Sequence, residues 1–220
     1  MAIITRGELK DIHYSFIEER GKIFDQAVRA YMKAAGKYGT DEVILITPKR
    51  IHEGLTTNSF NRAIQDLLIE KDVKSMKRGA HEFRLGAKVI QKENDYKGKG
   101  VINGQIGYIW SISDEGFSVD FKGEVVEYQK DEIRQIELAY ALTGHSYQGS
   151  QAKIVIIAFD MSVYILLSRQ WLYTAITRAQ EQCYIICPKK AHDVTIGKNF
   201  THRRTFMQRI LATAKLLMTL

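Results

Sequence analysis

The sequence predicts an α/β protein in which a parallel sheet flanked by helices is interrupted by a small β-barrel. Three observations carry this expectation. Residues 42–47, 153–159 and 182–187 are largely apolar runs without polar alternation, as in strands buried on both faces of a parallel sheet. Residues 23–38 place apolar side chains at helical spacing. Between residues 85 and 136 the chain reads as short strands broken by turn residues, the texture of a small antiparallel barrel.

Taken in order, residues 11–17 read as a short strand. The helix at 23–38 has Ile23, Phe24, Ala27, Val28, Tyr31, Ala34 and Ala35 on one face and is closed by Gly36 and Gly39. The buried strand at 42–47 stops at Pro48. Thr57 or Asn58 can cap the next helix, which runs to about residue 69 with Phe60, Ile64, Leu67 and Leu68 on one side. Strands are expected at 88–92, 105–111, 116–121 and 124–128. Asn103-Gly104 is a strong turn signal among them. Residues 137–142 return to the outer layer, followed by the strand at 153–159, a largely helical stretch at 167–179 and the strand at 182–187, ended by Pro188. A basic loop at 198–204 and a helical tail at 205–220 complete the chain. The expected division is 1–84 for the first part of the α/β domain, 85–136 for the barrel and 137–220 for the second part.

Composition narrows the function classes. The 220 residues are 45% apolar, enough for a sizeable core. Lys and Arg outnumber Asp and Glu by 32 to 25, a formal charge of +7. Such a surface favours nucleic acid or anionic membranes. No apolar run reaches the roughly 18 residues of a membrane span, and the N-terminus lacks the layout of a signal peptide. Cys183 and Cys187 read as buried thiols of a cytoplasmic protein. No Cys-x-x-Cys occurs, and no metal site is expected.

Two segments carry chemistry: Thr143-Gly-His-Ser-Tyr-Gln-Gly-Ser-Gln151 and Tyr173-Thr-Ala-Ile-Thr-Arg-Ala179. The first resembles motif V and the second motif VI of superfamily 1 helicases. Ile44-Leu-Ile-Thr-Pro48, Gly54, Thr56-Thr-Asn58 and Asn61-Arg-Ala-Ile-Gln65 resemble the segment after motif IV in RecD-like helicases. Residues 85–96 and 100–107 resemble the inserted SH3-like barrel, subdomain 2B, of that family. The resemblance spans about residues 16–188. It implies the C-terminal motor half of a superfamily 1B DNA helicase: a RecA-like domain 2A, P-loop NTPase-like but without a P-loop, split by the barrel. No Gly-x-x-x-x-Gly-Lys-Ser/Thr run occurs in the chain.

The resemblance also implies roles. Arg178 takes the arginine-finger position, where a planar, always-charged fork stabilises a transferring phosphoryl group. Gln148, Gly149 and Gln151 fall towards the nucleotide. Thr143 and His145 face the nucleic-acid backbone, and Thr47, Asn61 and Gln65 lie beside its path. Three positions depart from the family pattern: Ser146 stands for a common lysine, Tyr147 for a small residue and Gln151 for a glutamate. On the barrel, Lys88, Lys92, Asn94, Lys97 and Lys99 form a basic and polar group suited to a phosphate backbone. Tyr96 and Trp110 offer stacking faces, although Trp110 is expected to fill the barrel core. The implied partners are single-stranded DNA and an N-terminal RecA-like domain (1A) carrying the P-loop. ATP and Mg2+ are implied for the complete two-domain motor, with neither held tightly by this chain alone. Two rivals are a non-catalytic docking or nucleic-acid-binding domain of a larger relaxase or nuclease, and a viral-type RNA helicase domain.

Overall fold

The computed structural model describes residues 11–51, 54–79, 81–95, 98–147 and 150–198. The tail at 205–220, most of the basic loop before it, and Tyr96, Lys97, Gln148 and Gly149 lie outside the described residues.

The chain begins with β1 (Asp11–Phe16), α1 (Arg20–Tyr38), β2 (Val43–Ile46) and α2 (Thr57–Leu68). A hairpin follows, β3 (Ser75–Arg78) and β4 (His81–Arg84), then β5 (Lys88–Gln91), β6 (Ile106–Ile112), β7 (Gly116–Asp120), β8 (Val125–Gln129) and β9 (Ile136–Leu138). The last part comprises β10 (Ala141–Leu142), β11 (Ala152–Ala158), α3 (Arg169–Ile176), β12 (Ala179–Cys187) and α4 (Lys189–Gly197).

The α/β expectation holds. Five strands form one sheet in the order β1-β12-β11-β2-β10, every neighbouring pair parallel. The uninterrupted apolar runs are explained by burial on both faces. Val43 and Leu45 point into one core with Ile23, Ala27 and Tyr31 of α1, whereas Ile44 and Ile46 point into the other with Leu172, Ala175 and Ile176 of α3. β11 divides in the same way, Ile154 and Ile156 to the first face, Val155 and Ile157 to the second. Each such side chain stabilises the fold by roughly 1.5–3 kcal/mol. Cys183 and Cys187 are free and buried in the second core, and burial pushes both thiols up to about 12.

The second sheet is antiparallel, in the order β8-β7-β6-β5-β9, with strands between Lys88 and Leu138. Phe117 and Tyr128 stack inside it at 4.8 Å between centroids. Trp110 corrects the expectation of a core role: it is 65% exposed. The β6–β7 register slips between Ile109 and Ser111, so Trp110 is the extra residue of a bulge and its indole is turned outward.

Other differences have local causes. The cap of α2 is Thr56, one residue earlier than expected. Its hydroxyl accepts from the Ser59 N–H at 3.1 Å, and the Ser59 hydroxyl accepts from the Thr56 N–H at 3.1 Å. The helix expected at 167–179 stops at Ile176, because Ala179 pairs with Ala152 and starts β12. The β3–β4 hairpin and α4 have no counterpart in the sequence reading. Ser-Met-Lys-Arg and His-Glu-Phe-Arg carry too few apolar residues to announce strands.

Candidate nucleic-acid cleft and nucleotide edge

Parallel strands give the sheet two chemically distinct edges, and the segment 143–151 runs from one to the other. Leu142 lies beside Ile46, the last residue of β2, whereas Ile154 lies beside Val43, the first. Thr143 therefore starts at the C-terminal edge and Gln151 ends at the N-terminal edge. Three residue steps of about 3.3 Å put roughly 10 Å between those levels.

At the N-terminal edge, Arg178 and Gln151 precede the paired residues Ala179 and Ala152. The half-buried Arg178 guanidinium donates to Thr174 O at 3.1 Å, to Ser150 O at 3.3 Å and to the Thr177 hydroxyl at 3.5 Å. Its own carbonyl accepts from the Ala152 N–H at 3.0 Å. Gln151 is exposed, and its amide oxygen accepts from Gln180 Nε2 at 3.3 Å. The bulky Tyr147 is buried in the second core and donates its hydroxyl to Gln151 O at 2.8 Å. Burial raises that hydroxyl to about 12, so it stays protonated. The two motifs are thus joined through Arg178–Ser150, and Tyr147 braces the loop from beneath.

At the C-terminal edge, Thr143 and Ser146 share a hydroxyl hydrogen bond of 2.9 Å, and the Ser146 N–H donates to the Thr143 hydroxyl at 3.3 Å. His145 is exposed beside them. The Trp171 indole covers Gly144: a Cβ there would lie 3.5 Å from Trp171 Nε1.

Thr143 and Ser146 open onto a cleft of about 690 Å³ between α2, the β3–β4 hairpin and the 137–143 segment. Among the described residues, six cations and three carboxylates line it. The carboxylates are already engaged: Asp66 and Glu82 hold Arg84 at 2.7 and 2.8 Å, and Glu137 holds Arg50. Among the described residues, Arg62 and Lys71 make no ion pair, and Lys77 reaches Glu82 only at 4.0 Å. Arg78 donates to Ile133 O and Ile136 O, fixing the hairpin tip across the barrel. Burial, followed by the Arg78 and Arg50 charges, lowers the pKa of His81. The cleft is therefore net positive with hydroxyls at its inner end, a surface that suits phosphates without reading bases. Most of its charge comes from the hairpin and α2; α2 was expected from the sequence, whereas the hairpin was not. The available signal was the run Lys74-Ser-Met-Lys-Arg78, with three cations in five residues.

Four of the expected strand contacts have their polar groups hydrogen-bonded within the protein. Thr47 is buried and donates its hydroxyl to Leu55 O at 2.8 Å. Asn61 lines the cleft, but its amide donates to Leu138 O and Ala141 O at 3.0 and 2.9 Å and accepts from the Ala141 N–H at 2.7 Å. Gln65 donates to Glu82 O at 3.0 Å and accepts from the Arg84 N–H at 3.4 Å, tying α2 to the hairpin. Lys88 is 2% exposed and donates to Thr40 O at 2.6 Å, so it presents no cation to solvent. Its partner across the β5–β6 pair, Tyr108, donates to Asp41 Oδ1 at 2.5 Å. Together they fasten the barrel to the turn before β2.

The remaining barrel residues stay near the surface. Lys92 lies 3.9 Å from Glu137, and burial, then the Arg50 charge, lowers its pKa. Asn94 is exposed and accepts from the Asn103 N–H at 2.7 Å. Lys99 pairs with Glu132 at 3.1 Å and lies over the Tyr128 ring. Lys97 falls outside the described residues. Among the described residues no group of His, Cys, Asp or Glu has the arrangement of a metal site, and no helix is long and apolar enough to cross a membrane.

Comparison with known proteins matches both parts of the chain. Residues 138–186 match the UvrD-like helicase C-terminal domain, and residues 60–121 match the ATP-dependent RecD-like DNA helicase SH3 domain. The second match begins within α2, crosses the hairpin and reaches β7. The ATP-dependent RecD2 DNA helicase of Deinococcus radiodurans is 33% identical over 132 residues, 60% of this chain and 18% of that protein. The RecBCD enzyme subunit RecD of Mycolicibacterium smegmatis is 29% identical over 102 residues, 46% of this chain and 18% of that protein. A solved structure of Pif1 helicases at forked double-stranded DNA aligns with 77% of this chain and 48% of its own, at 19% identity and a TM-score of 0.48. The chain spans about a fifth of the length of these two curated relatives. The chain is thus similar to RecD-like helicases in two separate stretches: the sheet segment holding the paired motifs resembles a UvrD-like helicase C-terminal domain, and the segment from α2 to β7 resembles the SH3 domain of RecD-like DNA helicases.

Proposed function

We propose that this chain is the C-terminal motor half of an ATP-dependent DNA helicase that translocates 5′ to 3′. In this reading 1–84 and 137–220 form domain 2A and 85–136 forms the barrel 2B. The observation that carries it is the span of residues 143–151 between the two sheet edges, with Arg178 bonded to Ser150 at one end and Thr143 opening onto a basic cleft at the other. A phosphoryl group at the first edge and a DNA phosphate at the second would then be read by one continuous loop.

A P-loop domain facing the N-terminal edge would supply the phosphate cradle and hold Mg2+. ATP bound there supplies the γ-phosphoryl whose transfer drives the cycle. Arg178 fits the charge of that group, because its bonds to Ser150 and Thr177 are long and readily exchanged for phosphate oxygens. Gln151 completes this edge of the nucleotide site, and the motif resemblance assigns Gln148 and Gly149 to the nucleotide as well. Thr143, His145, Lys92, Asn94, Lys97 and Lys99 serve the strand, joined by Arg62, Lys71 and Lys77 of the cleft. Localisation with DNA in the cytoplasm follows from this reading.

The test is ATP turnover. The chain alone hydrolyses ATP negligibly. In a motor containing both this chain and a P-loop domain, Arg178→Ala lowers DNA-stimulated turnover by about 10³–10⁵ while single-stranded DNA affinity is retained. Turnover by the isolated chain, or an Arg178→Ala motor of full activity, overturns the reading. Opposite-tailed duplexes test the polarity, and matched DNA and RNA oligonucleotides test the nucleic acid.

A further inference from the structure

Trp110 is the most exposed aromatic residue among the described residues and belongs to neither core. An exposed indole presents a ring face to solvent, and a ring face can stack on any base. The backbone around it is well tied. The Gly86 N–H donates to Ile109 O at 2.8 Å, and the Leu85 N–H donates to Lys74 O at 2.9 Å. Lys74 Nζ in turn reaches Ile112 O at 3.5 Å. These bonds gather Lys74, the partly exposed Leu85 and the bulge carrying Trp110 at one end of the barrel. The same chain segments lead directly into the cleft, where Arg84 precedes Leu85 and Lys71 lies one turn of chain before Lys74.

We infer that this cluster is a base-stacking platform that continues the strand path out of the cleft and onto the barrel. The bulge presents the indole face, Leu85 extends the apolar floor, and Lys74 supplies charge for the adjoining phosphate. The ligand class is an unpaired base of single-stranded nucleic acid, for which an exposed aromatic face and a neighbouring cation are the two required elements. The platform rests on the reading of the cleft as a strand track and extends it by one subsite.

The experiment measures binding of the full chain to a fluorescein-labelled thymidine oligonucleotide of about 12 nucleotides. Anisotropy gives affinity, and tryptophan emission gives contact. Trp110→Ala weakens binding by about 5- to 150-fold, the equivalent of one stacked base. Trp110→Phe recovers most of the loss, and Trp110→Leu does not. The slope of log affinity against log salt is unchanged by Trp110→Ala, whereas Lys74→Ala reduces it by about 1. An oligonucleotide carrying abasic sites across its length loses affinity for the wild-type chain but no further affinity for Trp110→Ala. Thermal melting checks that the exposed substitutions leave the fold intact. Equal affinity of wild type and Trp110→Ala overturns the platform and leaves the strand track standing. Absence of salt-sensitive binding by the wild-type chain removes both.

Discussion

Asn61 offers the sharpest separation of a structural role from a strand contact. β10 is an edge strand of the parallel sheet: it pairs with β2 on one side only. Its inner side is satisfied by Leu45 N–H to Tyr140 O and Thr47 N–H to Leu142 O. On its outer side the N–H and C=O of Ala141 have the Asn61 amide as partner, at 2.7 and 2.9 Å, and Leu138 O takes the second amide hydrogen at 3.0 Å. One side chain thus stands in for a neighbouring strand and holds the segment that leads to Thr143. Asn61→Ala leaves three buried backbone groups without this partner. At roughly 1–3 kcal/mol for each stranded group, and with some relaxation, the cost is about 3–5 kcal/mol. That is a large part of the 5–15 kcal/mol that typical domains possess. Asn61→Asp keeps an acceptor for Ala141 N–H but sets a charged oxygen against two carbonyls. It destabilises at least as much at neutral pH and recovers as acid protonation restores a donor. Urea denaturation followed by circular dichroism measures both variants. A loss below about 1 kcal/mol for Asn61→Ala, accompanied by a fall in DNA affinity of the folded protein, would refute the assignment.

Lys88 yields a pH prediction. Burial lowers its pKa to about 8 from the ordinary 10.5, and nearby Asp41 and Glu42 offset only part of that shift. Between those values the unfolded chain holds a proton that the folded chain has released, so stability attributable to Lys88 rises with pH across this window. Wild type should gain on the order of 3 kcal/mol relative to Lys88→Met between pH 8 and 10.5; parallel pH profiles in chemical denaturation would contradict this. At the cleft, Thr143→Ala and His145→Ala should each weaken single-stranded DNA binding severalfold with little change in melting temperature. Unchanged affinity in both would move the strand away from this end of the cleft.

Much of the architecture was legible because burial on two faces and burial on one face leave different sequence patterns. Val43–Ile46 and Ala152–Ala158 are apolar without alternation, and both lie inside a parallel sheet. The barrel strands were marked by turn residues, and Gly104 and Gly123 adopt the positive φ those turns require. The hairpin at 75–84 escaped notice because its stability comes from partners elsewhere: Arg84 on Asp66, Gln65 on Glu82, and Arg78 on the barrel carbonyls. None of those pairings is local enough to mark the sequence.

The sequence by itself determined the apolar strands of the parallel sheet, the turn-rich run of short strands and the two motif segments, since periodicity and short-range turn chemistry are properties of neighbouring residues. Only the tertiary structure decided which polar side chains remain available. Asn61, Gln65, Thr47 and Lys88 have the chemistry of ligand-binding groups, yet folding spends them on backbone atoms distant in the chain. Trp110 shows the reverse, an apolar residue released to solvent by one extra residue in a strand. Availability depends on hydrogen-bond partners and on the direction in which a side chain points, and both are settled by contacts between segments far apart in sequence.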